Sequence, residues 1–110
     1  MTNKCCQKNS RKQKELQAIK NGLDVLNDIN RLRILCLLKE HGEICVCEIF
    51  KALNLPQNLV SYHLGRLKEE GFVVARKEGS NVIYQCGKKK IDVFFKLINL
   101  VITKTNNYEQ

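Results

Sequence analysis

The stretch Leu55-Pro56-Gln57-Asn58-Leu59-Val60-Ser61-Tyr62-His63-Leu64 decides the fold. Pro56 lacks a backbone N–H and disfavours helix in the residue before it, so a turn falls at 54–57. A new helix starts near residue 58 and runs to about 70, where Gly71 stops it. Leu59, Val60, Leu64 and Leu67 supply its apolar face, while Gln57, Asn58, Ser61, Tyr62 and His63 keep its first turns polar. Just upstream, residues 44–54 read as a short helix with room for an extended start. Downstream, residues 72–77 and 82–86 read as two short strands joined by Glu78-Gly79-Ser80-Asn81. Helix, proline turn, helix and basic hairpin in that order describe a winged helix-turn-helix. Its second helix enters a major groove N-terminal end first while the apolar face stays on the core.

Before this unit, Leu16, Ile19, Leu23 and Leu26 form one helical stripe over residues 14–27, which Gly22 weakens but does not forbid. Asp28 is an N-cap for a helix carrying Leu32, Ile34, Leu35 and Leu38, and Gly42 ends it. A last helix covers about 88–103. The expected fold is therefore mostly α with a small β-hairpin, in the order α-α-α-α-β-β-α. Residues 1–13 are expected to form a flexible arm, 14–105 the DNA-binding and dimerisation domain, and 106–110 a polar tail. Long terminal helices add surface that one small core cannot cover, which favours a homodimer.

The chain has 110 residues, with 19 Lys and Arg against 11 Asp and Glu, a formal net charge of +8. Such an excess favours a polyanionic partner, nucleic acid before membrane. The longest apolar stretch, residues 91–102, carries Asp92, Lys96 and Asn99 and is too short to span a bilayer. No apolar segment follows the basic N-terminus as a secretory signal requires. A cytoplasmic protein without membrane contact is expected. In that compartment the six cysteines are not a disulfide framework but free thiols, core residues or metal ligands.

On double-stranded DNA, Gln57 and Asn58 are suited to adenine edges, Ser61 is permissive, and Tyr62 and His63 lie near the same groove. Arg66 and Lys68, further along, suit phosphates. Arg76, Lys77 and Asn81 occupy the wing and are placed for phosphates or the minor groove. Each of these residues alone is an ordinary solvated side chain; the ordered pattern is what points to DNA. Among the thiols, Cys36 sits in the apolar run Ile34-Leu35-Cys36-Leu37-Leu38 and reads as core, and Cys86 ends a strand and reads as structural. Cys45 and Cys47 differ because they come as a spaced pair at a helix start, where the positive end of the dipole favours thiolate, the form that binds soft metals. Residues two apart share a side of a strand but do not face each other on a helix. One ion held by both therefore calls for an extended or unwound first turn.

From residue 23 to 102 the chain resembles the ArsR/SmtB family of metal-responsive repressors. The resemblance rests on Asn30-Arg31-Leu32-Arg33-Ile34-Leu35, on Gly42-Glu43-Ile44-Cys45-Val46-Cys47-Glu48-Ile49, and on Val60-Ser61-Tyr62-His63-Leu64. Leu67-Lys68-Glu69-Glu70-Gly71-Phe72-Val73 and Arg76-Lys77-Glu78-Gly79 complete it. It implies a homodimer through the first and last helices, operator binding, and release when metal binds, with Cys-Val-Cys marking the thiol-sensing branch. The arsenic-sensing branch often adds a Cys three residues after the second; here that position is Phe50. Some thiol sensors of the family use N-terminal cysteines of the partner subunit, which makes Cys5 and Cys6 the spare donors. Three sulfurs suit As(III) or Sb(III), the preferred inducers; four suit Cd(II), Pb(II) or Zn(II). The family's other metal site, on the last helix, needs His and carboxylates, and only Asp92 is present.

Two rivals use the same thiols. Cys5 to Arg11 matches the Cys, five residues, Arg loop of phosphatases and arsenate reductases. That loop needs a preceding strand and an α/β fold, so no enzyme is expected. A redox repressor would release DNA on oxidation; Cys-Val-Cys is too close for an unstrained internal disulfide, which leaves a bond between the arm and the third helix as the form this alternative takes.

Overall fold

The structure is a computed structural model and describes residues 10–103. Its element order is α1 (Ser10–Leu26), α2 (Ile29–His41), β1 (Glu43–Cys45), α3 (Val46–Leu53), α4 (Gln57–Glu69), β2 (Val73–Glu78), β3 (Asn81–Cys86) and α5 (Lys88–Val101). The breaks fall where the local chemistry demands them. The Asp28 carboxylate accepts hydrogen bonds from the Asn30 and Arg31 amides at 2.8 and 3.2 Å, satisfying two open N–H groups at the start of α2. Gly42 closes α2 at φ 81°, with its N–H donating to the Leu38 carbonyl at 2.8 Å. Asn54 takes the left-handed conformation after α3, and Pro56 precedes the first residue of α4.

Three antiparallel strands form one sheet in the order β1-β3-β2. Cys45 pairs with Ile83, which also pairs with Arg76 on its other side. The strand that ends at Cys45 is thus in one ladder with the wing. This third strand corrects the expected hairpin-only sheet, although an extended start to the third helix was foreseen. The hairpin is also tighter than expected: β2 runs through Glu78 and β3 begins at Asn81, leaving Gly79-Ser80 as the turn. At the N-terminus the helix includes Ser10, so residues 10–13 belong to α1 rather than to the arm.

The core gathers Ile34 and Leu38 of α2, Ile49 of α3, Val60, Leu64 and Leu67 of α4, and Phe72 and Val73. α1 and α5 pack on each other at one side of it. Gly22 is what makes that approach possible: a Cβ there would run into the Phe94 ring. Two core assignments from the sequence are corrected. Leu59 is 36% exposed, and the inward row of α4 is Val60, His63, Leu64 and Leu67, spaced i, i+3, i+4, i+7. Cys36 is exposed, because Ile34 and Leu38 take the inward turn of α2 and residue 36 falls on the far side. Cys36→Ser is therefore expected to change stability by no more than about 0.5 kcal/mol, which thermal melting would show. Among the described residues no helix is long and apolar enough to cross a membrane.

Candidate DNA-reading surface and thiol pair

The outward face of α4 carries Gln57, Asn58, Ser61, Tyr62, Gly65 and Lys68, all exposed. No side chain caps the start of this helix, where Pro56 stands at the N-cap. Its first N–H groups and its positive dipole end are therefore presented beside Gln57 and Asn58. A Cβ on Gly65 would meet nothing within 4 Å, so this stripe is open to a flat partner. Tyr62 is 56% exposed. Arg66 lies at the edge, half-buried, with its Nη1 on Glu69 at 2.8 Å.

His63 does not share this face. It is 4% exposed and faces inward, its Nδ1 accepting a hydrogen bond from the Arg31 Nε at 3.0 Å, unlike the exposed residues expected to meet DNA. The inward spacing of residues 60, 63, 64 and 67 held this signal, but a lone His in a polar stretch reads as surface. The wing is divided as well. Arg76 grips Glu43 with both terminal nitrogens, at 2.9 and 3.0 Å, and also meets Glu78 at 3.0 Å. These hydrogen bonds hold the guanidinium still more firmly protonated and draw the Glu43 carboxyl below its usual range. Its charge is therefore largely spoken for within the sheet. Lys77 and Asn81 are exposed, and Lys77 forms no ion pair among the described residues, which makes it the freer cation of the wing.

Cys45 closes β1 and is the N-cap of α3, with extended dihedrals φ −69° and ψ 145°. That single extended residue turns its side chain toward the next helix. Its Sγ accepts from the Cys47 N–H at 3.4 Å and lies 2.8 Å from the Cys47 Sγ. Cys45 is half-buried and Cys47 exposed. The thiol–thiol hydrogen bond pulls the Cys45 pKa down, helped by the Cys47 amide. The same bond, with desolvation and the neighbouring Cys45 and Glu48 charges, pushes Cys47 up. The pair thus carries one readily formed thiolate. As pH rises, Cys45 should become alkylated by iodoacetamide below the ordinary thiol range and Cys47 only above it. Mass spectrometry of the modified peptides would reverse this assignment if Cys47 reacted first.

Phe50, one turn on, is partly buried against the core. Among the described residues no third His, Cys, Asp or Glu joins the pair as a ligand cluster. Cys5 and Cys6 lie outside the described residues. Cys86 is engaged elsewhere, its thiol directed at the Leu35 carbonyl at 3.8 Å and pushed up by burial.

A winged helix with an open recognition face and a basic hairpin defines a DNA-binding protein. Residues 28–74 match the bacterial regulatory proteins of the arsR family, and the chain belongs to that family. It is 43% identical over 72 residues to an HTH-type transcriptional regulator of Methanocaldococcus jannaschii, covering 66% of this chain and 81% of that one. It is 33% identical over 90 residues to an arsenical resistance operon repressor of Staphylococcus aureus, covering 82% and 83%. The cadmium resistance transcriptional regulatory protein of Listeria innocua is 38% identical over 60 residues, covering 54% of this chain. Against that protein and the arsenical resistance operon repressor of Escherichia coli the match spans about half of the relative, 50% and 52%. Among solved structures, the homodimeric winged helix-turn-helix domain of a possible ArsR-family regulator from Mycobacterium bovis superposes with a TM-score of 0.71. It is 30% identical, with 87% of this chain and 88% of that one covered. The family and these relatives are transcriptional regulators, and this chain is a regulator rather than an enzyme.

Proposed function

We propose that this chain is a repressor that binds operator DNA as a homodimer and lets go when a thiophilic ion is held by Cys45 and Cys47. The observation that carries the reading is the convergence of the two sulfurs at the joint between β1 and α3. Relatives named for arsenical and cadmium resistance support it. Cys45 and Cys47 would hold such an ion as soft thiolate donors. An ion held by both would replace the hydrogen bond the two sulfurs share and would draw Cys45 Sγ from the Cys47 N–H it caps. The first turn of α3 moves with them, and α3 packs directly on α4. β1 carries the same displacement to the wing through the Cys45–Ile83 pairing. Two recognition helices that fit successive major grooves lose their register by small shifts of this kind.

As(III) or Sb(III) is the preferred inducer. Two thiolates here and one from Cys5 or Cys6 make the three-sulfur site such ions favour, and both arm cysteines together would suit Cd(II), Pb(II) or Zn(II) instead. The test is a titration of fully reduced protein on a fluorescent duplex that it selects from a random pool, using arsenite, antimonite, cadmium, lead and zinc. Arsenite or antimonite is expected to release the duplex at the lowest concentration. Release by a mild oxidant, with no ion effective under reduction, would transfer the function to thiol redox sensing.

A further inference from the structure

Beneath the recognition helix lies a polar cluster that DNA contact does not use. Among the described residues, Arg31 and His63 are the buried polar or charged side chains, at 8% and 4% exposure. The Arg31 Nε donates to His63 Nδ1 at 3.0 Å, and its Nη1 donates to the Val25 carbonyl in the last turn of α1 at 3.1 Å. Acceptance at Nδ1 leaves the ring proton on Nε2. That nitrogen stands 3.9 Å from Asp28 Oδ1, the oxygen that also caps α2. The ends of α1 and α2 and the middle of α4 thus meet at one hydrogen-bonded point. On its outer side the Arg31 guanidinium carbon lies 5.7 Å from the centroid of the Tyr62 ring. The His63 ring sits 5.5 Å from that ring, tilted by 54°.

A buried guanidinium is a poor way to gain stability, since apolar side chains of like volume fill such a space as well or better. Hydrogen bonds supply what apolar packing does not, a fixed direction and distance. We propose that Arg31, through His63, is a positioning residue for sequence reading. It sets the roll of α4 against α1 and clamps Tyr62 as a rigid ring on the groove-facing stripe. A ring held in this way offers apolar contact of the kind that distinguishes a thymine methyl. Arg31 itself is buried away from phosphate, so its effect falls on discrimination and not on charge-driven affinity.

The experiment compares the selected duplex with a scrambled duplex of equal length, over a range of salt. Arg31→Lys keeps the charge and loses the planar fork; His63→Leu removes the acceptor; His63→Asn restores an acceptor near the Nδ1 position. Arg31→Lys and His63→Leu are expected to lower affinity for the selected duplex by about tenfold or more, the scale of one misread base pair. Affinity for the scrambled duplex should stay within about twofold, with the salt slope unchanged. His63→Asn should recover most of the discrimination. Equal losses on both duplexes, or a His63→Asn protein as poor as His63→Leu, would overturn the proposal. Tyr62→Leu covers the case of an unfolded Arg31 variant, because Tyr62 is exposed and its loss spares the core. Unchanged discrimination in that variant would equally overturn it. None of these measurements involves an inducing ion, so they stand or fall apart from the thiol reading.

Discussion

Replacing Cys45 or Cys47 by serine is expected to give a protein that binds its operator as the native chain does and no longer releases it. A serine hydroxyl stays protonated at neutral pH and is a hard donor, so either change removes one of the three or four sulfurs a soft ion requires. Losing a direct ligand should raise the releasing concentration at least about 100-fold, the upper range seen even for outer-shell changes. The fold should tolerate both. Cys47 is exposed, and Cys45 serves as the cap of α3, a place where serine is a preferred residue. The Cys5→Ser/Cys6→Ser double variant should also bind DNA normally and respond weakly, with fewer sulfur-to-metal charge-transfer bands per ion. Anisotropy titrations under full reduction measure all three. A Cys47→Ser protein released at the native concentration would remove the pair from the sensing site. A normal response from the double variant would instead place the remaining ligand outside the arm.

The elements that follow a strong local rule were legible in the sequence. Pro56, Gly71 and Asp28 each mark a boundary through backbone chemistry that acts within a few residues, and all three lie where expected. The spaced pair Cys45 and Cys47 at a helix start was legible too, as was room for an extended residue before that helix; the direct contact between the two sulfurs was not. What escaped was set by phase or by distance. In Ile34-Leu35-Cys36-Leu37-Leu38 every residue is apolar, so the run conceals which side faces inward. Helical geometry turns residue 36 about 200° from residue 34. His63 escaped for the opposite reason: its inward position was readable from the spacing, but its partner Arg31 lies 32 residues away. The engagement of Arg76 depends likewise on Glu43, 33 residues upstream, across a sheet whose first strand has three residues. Three residues are too few for any periodic signal.

The second large effect is expected on α5. Phe94 of this helix turns inward against Gly22 of α1, while Leu100, Val93 and Phe95 are left 72%, 56% and 53% exposed. Leu23 of α1 is 47% exposed as well. Apolar side chains of that size on the two packed terminal helices mark a surface for association. A second copy of this chain is the partner expected from the resemblance, and the M. bovis relative is homodimeric. Leu100→Asp tests this with little cost to the protomer, since a polar side chain at an exposed helical position changes stability by about 0.5 kcal/mol or less. Ile98 is a worse choice because it packs against the core, so a charge there would confuse unfolding with dissociation. In a dimer through this face, a carboxylate at residue 100 would be stripped of water without a partner. Dimer dissociation should rise about 100-fold or more, the loss typical of a central interface side chain. Operator affinity should fall at least as far, because a lone protomer engages one half-site and forfeits the second as a linked contact. Sedimentation equilibrium and operator binding should therefore change together while the melting temperature holds. A Leu100→Asp protein that stays dimeric and keeps its operator affinity would place the interface elsewhere, and the exposed face of α5 would then need another occupant.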